Sequence, residues 1–322
     1  MKRVFRILSP ILLVAAALSA CQRPSAKRDP DVYRPDSDSY YNSHGAKNTT
    51  DQLAAMGQPK KRVVVLDFWN STPVGLDNFG FFAAEELRRG LYLTQRMILS
   101  PEIKSEYTTP DFLNGDQIRV EQLVREGRKI GVGVIIIGRI KRIVFRQKGD
   151  DIGILRKKES IAGVDVELKI FDVSGGRELA SSARMGEASS NSLVSLDADN
   201  MEAATYRAEL VKAAIRNAIA QLVPDVVKGV DKLAWQGRIA KTSGTKIYVN
   251  AGKTSGLVVG DILRVMAPGD DIYDPTTGAF LGRTPGQLKG TLEVVDFLGV
   301  DGAVTVVHTG GNFQENDLVQ LY

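Results

Sequence analysis

Two uninterrupted apolar runs constrain this chain more than any other feature. They are Val63-Val64-Val65-Leu66, ahead of Asp67-Phe68, and the stretch from Val132 to Ile137. A strand of that composition has no polar face, so it must lie in a sheet covered on both sides, the habit of parallel strands flanked by helices. Between the two runs, Asn78 is expected to cap a helix whose Phe79, Ala83, Leu87 and Leu91 fall at steps of four. A strand near Met97 to Ser100 follows, and then a second helix capped by Asp116, with Val120, Leu123, Val124 and Gly127 on its stripe.

Beyond Ile137 the pattern changes. From Ile161 to Phe171 the residues alternate strictly, with Ala162, Val164, Val166, Leu168 and Ile170 on one face and Asp165, Glu167 and Lys169 on the other. That is a half-buried antiparallel strand. It turns at Ser174-Gly175-Gly176 and returns through Glu178 to Arg184. A long amphipathic helix with Val211, Ile215, Ala218 and Leu222 on its stripe is expected to stop at Pro224. Residues 61–230 therefore read as one mixed α/β domain. Residues 231–322 read differently: Gly237–Ala240, Lys246–Val249, Ile262–Val265, Gly290–Val295 and Val304–Val307 are short strands between turns such as Lys253–Gly256 and Asp274–Gly278. Regular short strands of this kind make a small all-β barrel or sandwich.

The first twenty-one residues carry a different signal. Lys2, Arg3 and Arg6 precede an apolar run from Ile7 to Leu18, broken only by Ser9 and Pro10 and ending in Leu18-Ser19-Ala20-Cys21. A basic start, a short apolar run and small residues before a cleavage point make a signal peptide. A spanning helix needs about 20 apolar residues, more than this run offers. The last four residues resemble the bacterial lipobox, which implies cleavage after residue 20, acylation of Cys21 and attachment to a membrane. Stable anchoring takes two lipid signals, and a diacyl or triacyl cysteine supplies them. In enterobacterial lipoproteins a residue such as Gln22, rather than Asp, goes with the outer membrane; the resemblance implies an outer-membrane anchor facing the periplasm.

Residues 21–60 are mostly Ser, Asp, Asn, Tyr and Lys without period, too polar to offset their ordering entropy by burial. They read as a tether spanning on the order of 35 Å as a flexible coil. Tyr33, Tyr40 and Tyr41 lie in it, as a recognition patch or simply as tether residues. The chain has 42 basic and 38 acidic residues, and loss of residues 1–20 removes three basic ones, which leaves the mature protein near neutrality. Nothing in that balance calls for nucleic acid. Acylated Cys21 leaves no thiol for a disulfide or a metal site.

On the segment from Val63 to Asn70, the strand Gly133–Ile140 and the hairpin Val166–Leu179, residues 61–230 resemble the curli-secretion lipoprotein family and the related amino-terminal domain of the translocation protein TolB. The stretch Asn250–Asp261 resembles the carboxy-terminal domain of the flagellar assembly protein T family, where it also follows a TolB-like domain; the lipid anchor departs from that pattern. These resemblances imply a homo-oligomeric assembly or transport part of the cell envelope, without catalytic residues or a cofactor.

Local patterns that invite sharper chemistry fall short. Gly252-Lys253-Thr254 looks like the end of a phosphate-binding loop, but Ile247 stands where the first glycine belongs. Asp270, Asp271 and Asp274 lack the surroundings of a calcium loop and read as a solvated turn. His44 lies in the tether and His308 at the end of an expected strand, so the chain offers no paired-histidine metal site. Asp67 with Glu85 or Glu86 is a candidate acid/base pair, against which stands the usual solubilising or capping role. Two readings remain: a periplasmic ring or scaffold subunit for an envelope structure such as a flagellar accessory ring, and an outer-membrane secretion channel. A channel needs spanning hairpins, for which 139–160 and 181–199 are the candidates. Arg139 and Lys141 are on one parity and Arg142 and Arg146 on the other, so neither face is expected to meet lipid.

Overall fold

The computed structural model describes residues 59–74, 78–99, 108–115, 117–149, 157–193 and 201–322. Cys21, Tyr33, Tyr40, Tyr41, His44 and Asp116 lie outside them. In chain order the elements are β1 (Lys61–Val65), β2 (Trp69–Asn70), α1 (Phe79–Thr94), β3 (Met97–Leu99), a 3-10 turn (Thr109–Phe112), β4 (Leu113–Asn114), β5 (Gln117–Ile118), α2 (Val120–Lys129), β6 (Val134–Gly149), β7 (Lys157–Asp172), β8 (Arg177–Leu193) and α3 (Met201–Asp231). There follow β9 (Gly237–Ser243), β10 (Lys246–Val249), β11 (Ile262–Met266), β12 (Asp271–Tyr273), β13 (Phe280–Arg283), β14 (Leu288–Leu298), β15 (Gly302–Gly310) and β16 (Leu318–Leu321).

The first sheet runs β3-β1-β6-β7-β8, with β2 added beside β6. Strands β3, β1 and β6 are parallel, and β6, β7 and β8 are antiparallel. The two apolar runs behave as their composition requires. In β1 and the start of β6, Val63, Val65, Val134 and Ile136 face a core shared with α1 and α3, while Val64, Leu66, Ile135 and Ile137 face a second core under α2. The Asn78 carboxamide accepts from the Phe81 N–H at 3.2 Å, which satisfies one free donor of the first turn of α1. Phe79, Ala83, Leu87 and Leu91 are all buried, as the spacing demands.

Two boundaries differ from expectation. Helix α2 starts at Val120 with Arg119 in the cap position and no side-chain cap, not from a cap at Asp116. Helix α3 does not stop at Pro224 but runs to Asp231. The apolar stripe continues past the proline through Val226 and Val230, both buried in the same core. That burial outweighs the one hydrogen bond and the ring clash that proline imposes.

The carboxy-terminal part is a closed six-stranded barrel in the order β10-β15-β14-β11-β16-β9. The five expected strands are there, filled by Ile239, Ile247, Val249, Leu263, Val265, Leu292 and Val294, with Trp235 and Leu257 packed among them. Closure depends on β16, which has no clear alternation and was not legible in the sequence. It is set up by Asp317, only 1% exposed, whose carboxylate accepts from Lys289 Nζ at 2.9 and 2.8 Å and from the Gln314 N–H at 2.7 Å. The turn Asp274–Gly278 proves to join β12 and β13, a hairpin outside the barrel.

Candidate functional site

The arrangement with most functional content is the sheet face beyond Ile137, where α2 no longer covers the strands and the residues turn charged. A bulge falls between Ile140 and Arg142, and Lys141 is the extra residue. Below it Arg139 is opposite Glu167; above it Arg142 is opposite Asp165 and Arg146 opposite Ile161. Paired residues share a face, so the bulge brings Arg139, Arg142 and Arg146 onto one side. The expectation that cations occupy both faces is therefore overturned, because a bulge shifts the parity of everything after it.

On that face Lys141 pairs with Glu167 at 3.2 Å, Arg142 with Asp165 at 2.8 Å, Arg146 with Glu187 at 3.6 Å and Lys169 with Glu178 at 3.0 Å. The Arg139 guanidinium stacks over Trp69 at 4.4 Å, and its Nε donates to Ser71 Oγ. The opposite face carries Ile140, Ile143, Ala162, Val164 and Val166, packed in the core under α3.

The edge strand β8 is paired only with β7 among the described residues. Along it, α3 supplies Asn217, Gln221 and Asp225. Asn217 Nδ2 donates to Glu187 O at 2.7 Å, Gln221 Nε2 to Met185 O at 3.2 Å, and Ser182 Oγ donates to Asp225 at 2.7 Å. Helix residues four apart advance about 6 Å and strand residues two apart about 6.8 Å, so the two rows stay nearly in step.

The other candidates resolve into structural roles. Arg88 binds both Asp67 at 2.8 Å and Glu85 at 2.6 Å, and also donates to Val65 O. Asp67 and Glu85 thus share one guanidinium, and Glu86 is not part of the group. The loop from Gly252 does hold an anion, but the anion is Asp301 of the same chain. Asp301 Oδ1 accepts from the Gly252 and Ser255 N–H groups, both at 2.8 Å, and Oδ2 accepts from Ser255 Oγ at 2.6 Å and Arg62 Nη2 at 3.0 Å. Burial pushes this carboxyl up, but the donors from Ser255, Arg62 and Gly252 together hold it below the ordinary aspartate value. Sequence spacing offers no signal for it, since Asp301 lies far from every partner.

Asp271 is exposed as expected, but it opens β12 instead of lying in the turn, and it is ion-paired. Arg128 donates to both its oxygens, at 3.2 and 3.1 Å, and Arg283 lies at 3.3 Å. The Arg128 hydrogen bond is the main cause of its lowered pKa, against a smaller opposing effect of burial. Asp274 does fit the turn reading, accepting from the Thr276 and Thr277 N–H groups. His308 Nδ1 contacts Thr291 Oγ1 at 3.1 Å. Among the described residues no group of three or more His, Cys, Asp or Glu is placed to hold a metal, and no helix is long and apolar enough to cross a membrane.

No protein-family model and no curated protein sequence matches this chain. Similar solved structures include the hypothetical protein CT253 from Chlamydia trachomatis, 14% identical at a TM-score of 0.32, covering 53% of this chain and 96% of that one. Lipoprotein GNA1162 from Neisseria meningitidis is 13% identical at 0.28, covering 47% and 94%. The PelC dodecamer from Paraburkholderia phytofirmans is 16% identical at 0.29, covering 52% and 88%. Each spans about half of this chain.

Proposed function

We propose that this chain is a non-enzymatic assembly subunit, held by lipid on Cys21 at the periplasmic face of the outer membrane. It associates with copies of itself as a scaffold or ring for an envelope structure such as a flagellar motor accessory ring. The supporting observation is the β6–β8 face: its cations are paired in place by Glu167, Asp165 and Glu187, while the apolar side of the same strands lies under α3. Strands so covered and so charged suit contact with other proteins in water, and Arg or Lys facing lipid near a barrel midplane costs about 2–4 kcal/mol. Sedimentation of the full-length acylated protein in mild detergent at micromolar concentration tests the reading. A discrete multimer is the expected result, and monomer alone counts against it.

A curli-type secretion channel is the second reading, and one observation favours it. Strands β6, β7 and β8 are 16, 16 and 17 residues long, more than the roughly 9–11 a spanning strand needs, although their cation-free face would first have to leave its cover of α3. Stepwise single-channel currents from the acylated protein in a planar bilayer would establish the channel in place of the scaffold.

A further inference from the structure

We propose that the end of the barrel at which the chain enters the fold is a second membrane contact, seating Val258, Val259, Leu298 and Val300 in the headgroup region of the bilayer that carries the anchor. The proposal rests on the reading of Cys21 as acylated. Val258 and Val259 are 59% and 60% exposed in the loop before β11, and Leu298 and Val300 are 57% and 90% exposed at the tip between β14 and β15.

These side chains are presented on a braced frame. Thr254 Oγ1 donates to Val300 O at 2.8 Å, the Gly260 N–H to Val294 O at 2.8 Å, and Asp301 ties the tip to the Gly252 and Ser255 amides. Ordering before contact lowers the entropy lost on contact. The acidic groups of the two loops are turned inward: Asp261 accepts from the Val258 N–H and Asp301 from four donors, which leaves Asp296, two residues before Leu298, as the exposed carboxylate.

The occupant is selected by where the chain comes in. The Lys60 N–H donates to Ser255 O at 2.6 Å, and a Cβ built on Gly256 would lie 3.7 Å from Pro59 Cα. The chain enters the fold here, at Pro59, from the side that carries Cys21, so this end is the nearest to the anchor along the polypeptide. Tethering supplies a high effective concentration, at which a weak apolar contact is populated without added charge attraction. Aliphatic side chains of this kind sit about 5–10 Å into the headgroup and acyl boundary.

The test uses full-length acylated protein in phosphatidylethanolamine and phosphatidylcholine vesicles, with Val300→Trp as probe and Leu281→Trp, 62% exposed on β13, as comparison. Wild type sets the baseline for Trp69 and Trp235. Acyl chains brominated near the headgroup should abolish most of the added emission of the Val300→Trp protein and leave that of Leu281→Trp largely unchanged. Equal quenching of the two in protein that floats with the vesicles overturns the docking while leaving the anchor intact. Failure of the protein to float overturns both. A blue shift of the Val300→Trp emission that grows with protein concentration in lipid-free detergent assigns the patch to a second copy and likewise overturns the membrane contact.

Discussion

Gly186 and Asp301 show how much rests on single positions. A Cβ at Gly186 would lie 2.0 Å from Ala214 O and 2.4 Å from Ala218 N, so α3 can lie on β8 only over a glycine. Gly186→Ala should lift the helix and cost about 1–3 kcal/mol, read as a lower urea midpoint. Asp301→Asn leaves the part-buried Arg62 without its carboxylate and should cost about 1.5–3 kcal/mol. Because the folded pKa of Asp301 is depressed, its contribution is complete above the unfolded value of about 3.9 and is lost as pH falls through the folded value. The gap in urea midpoint between wild type and Asp301→Asn should therefore be widest near neutrality and shrink below about pH 4. A constant gap down to pH 2.5 would show that geometry, not charge, carries the effect. Asn78 and the buried stripe of α1 were legible in sequence because their partners are a few residues away. Asp301 and Arg62 were not, because their pairing spans 239 positions and leaves no local trace.

Among the elements, the strands were more legible than their ends and parities. Alternation in β7 located its two faces correctly, since each residue pair is fixed by the pleat. The same logic misplaced the cations of β6, because one extra residue at Lys141 leaves no mark in composition yet inverts every later side chain. Pro224 misled for the opposite reason, a strong local signal overruled by tertiary burial. The row Asn217, Gln221 and Asp225 along β8 has a purpose at this scale: an edge strand of 17 residues is an invitation to pair with another chain unless its polar groups are occupied. Asn217→Ala combined with Gln221→Ala frees the Met185 and Glu187 carbonyls. It should leave the fold intact but raise light scattering with concentration and time. A double variant as clear as wild type would show that the edge is protected by something other than these amides.

At the scale of the molecule, the α/β part and the barrel are joined by more than the chain that runs from α3 into β9. Arg128 and Asp271, Arg62 and Asp301, Tyr273 and Glu121, and Lys60 and Ser255 all cross between them. Arg283, whose pKa is lowered first by burial and then by the charge of Arg128, shares Asp271 with Arg128. Removing Asp271 strands these cations, so Asp271→Ala should split a single calorimetric unfolding transition into two. One unsplit transition would mean that the remaining contacts couple the two parts by themselves. Class and order of elements were readable from periodicity, but no local pattern reports how two separately patterned halves are bolted together.

The entry point of the chain also has a mechanical side. Pro59 leads straight into β1, whose neighbours β3 and β6 run parallel to it, and the first residues after it are held to the barrel through Lys60 and Arg62. A pull transmitted along the polypeptide from its amino-terminal side is thus met first by the Ser255 and Asp301 contacts. It then loads the β1 ladder along the strand axis, where the rungs bear the force together and do not peel one at a time. The barrel acts as a strain relief at the point where the cable enters, and the sheet behind it is spared until that grip gives way.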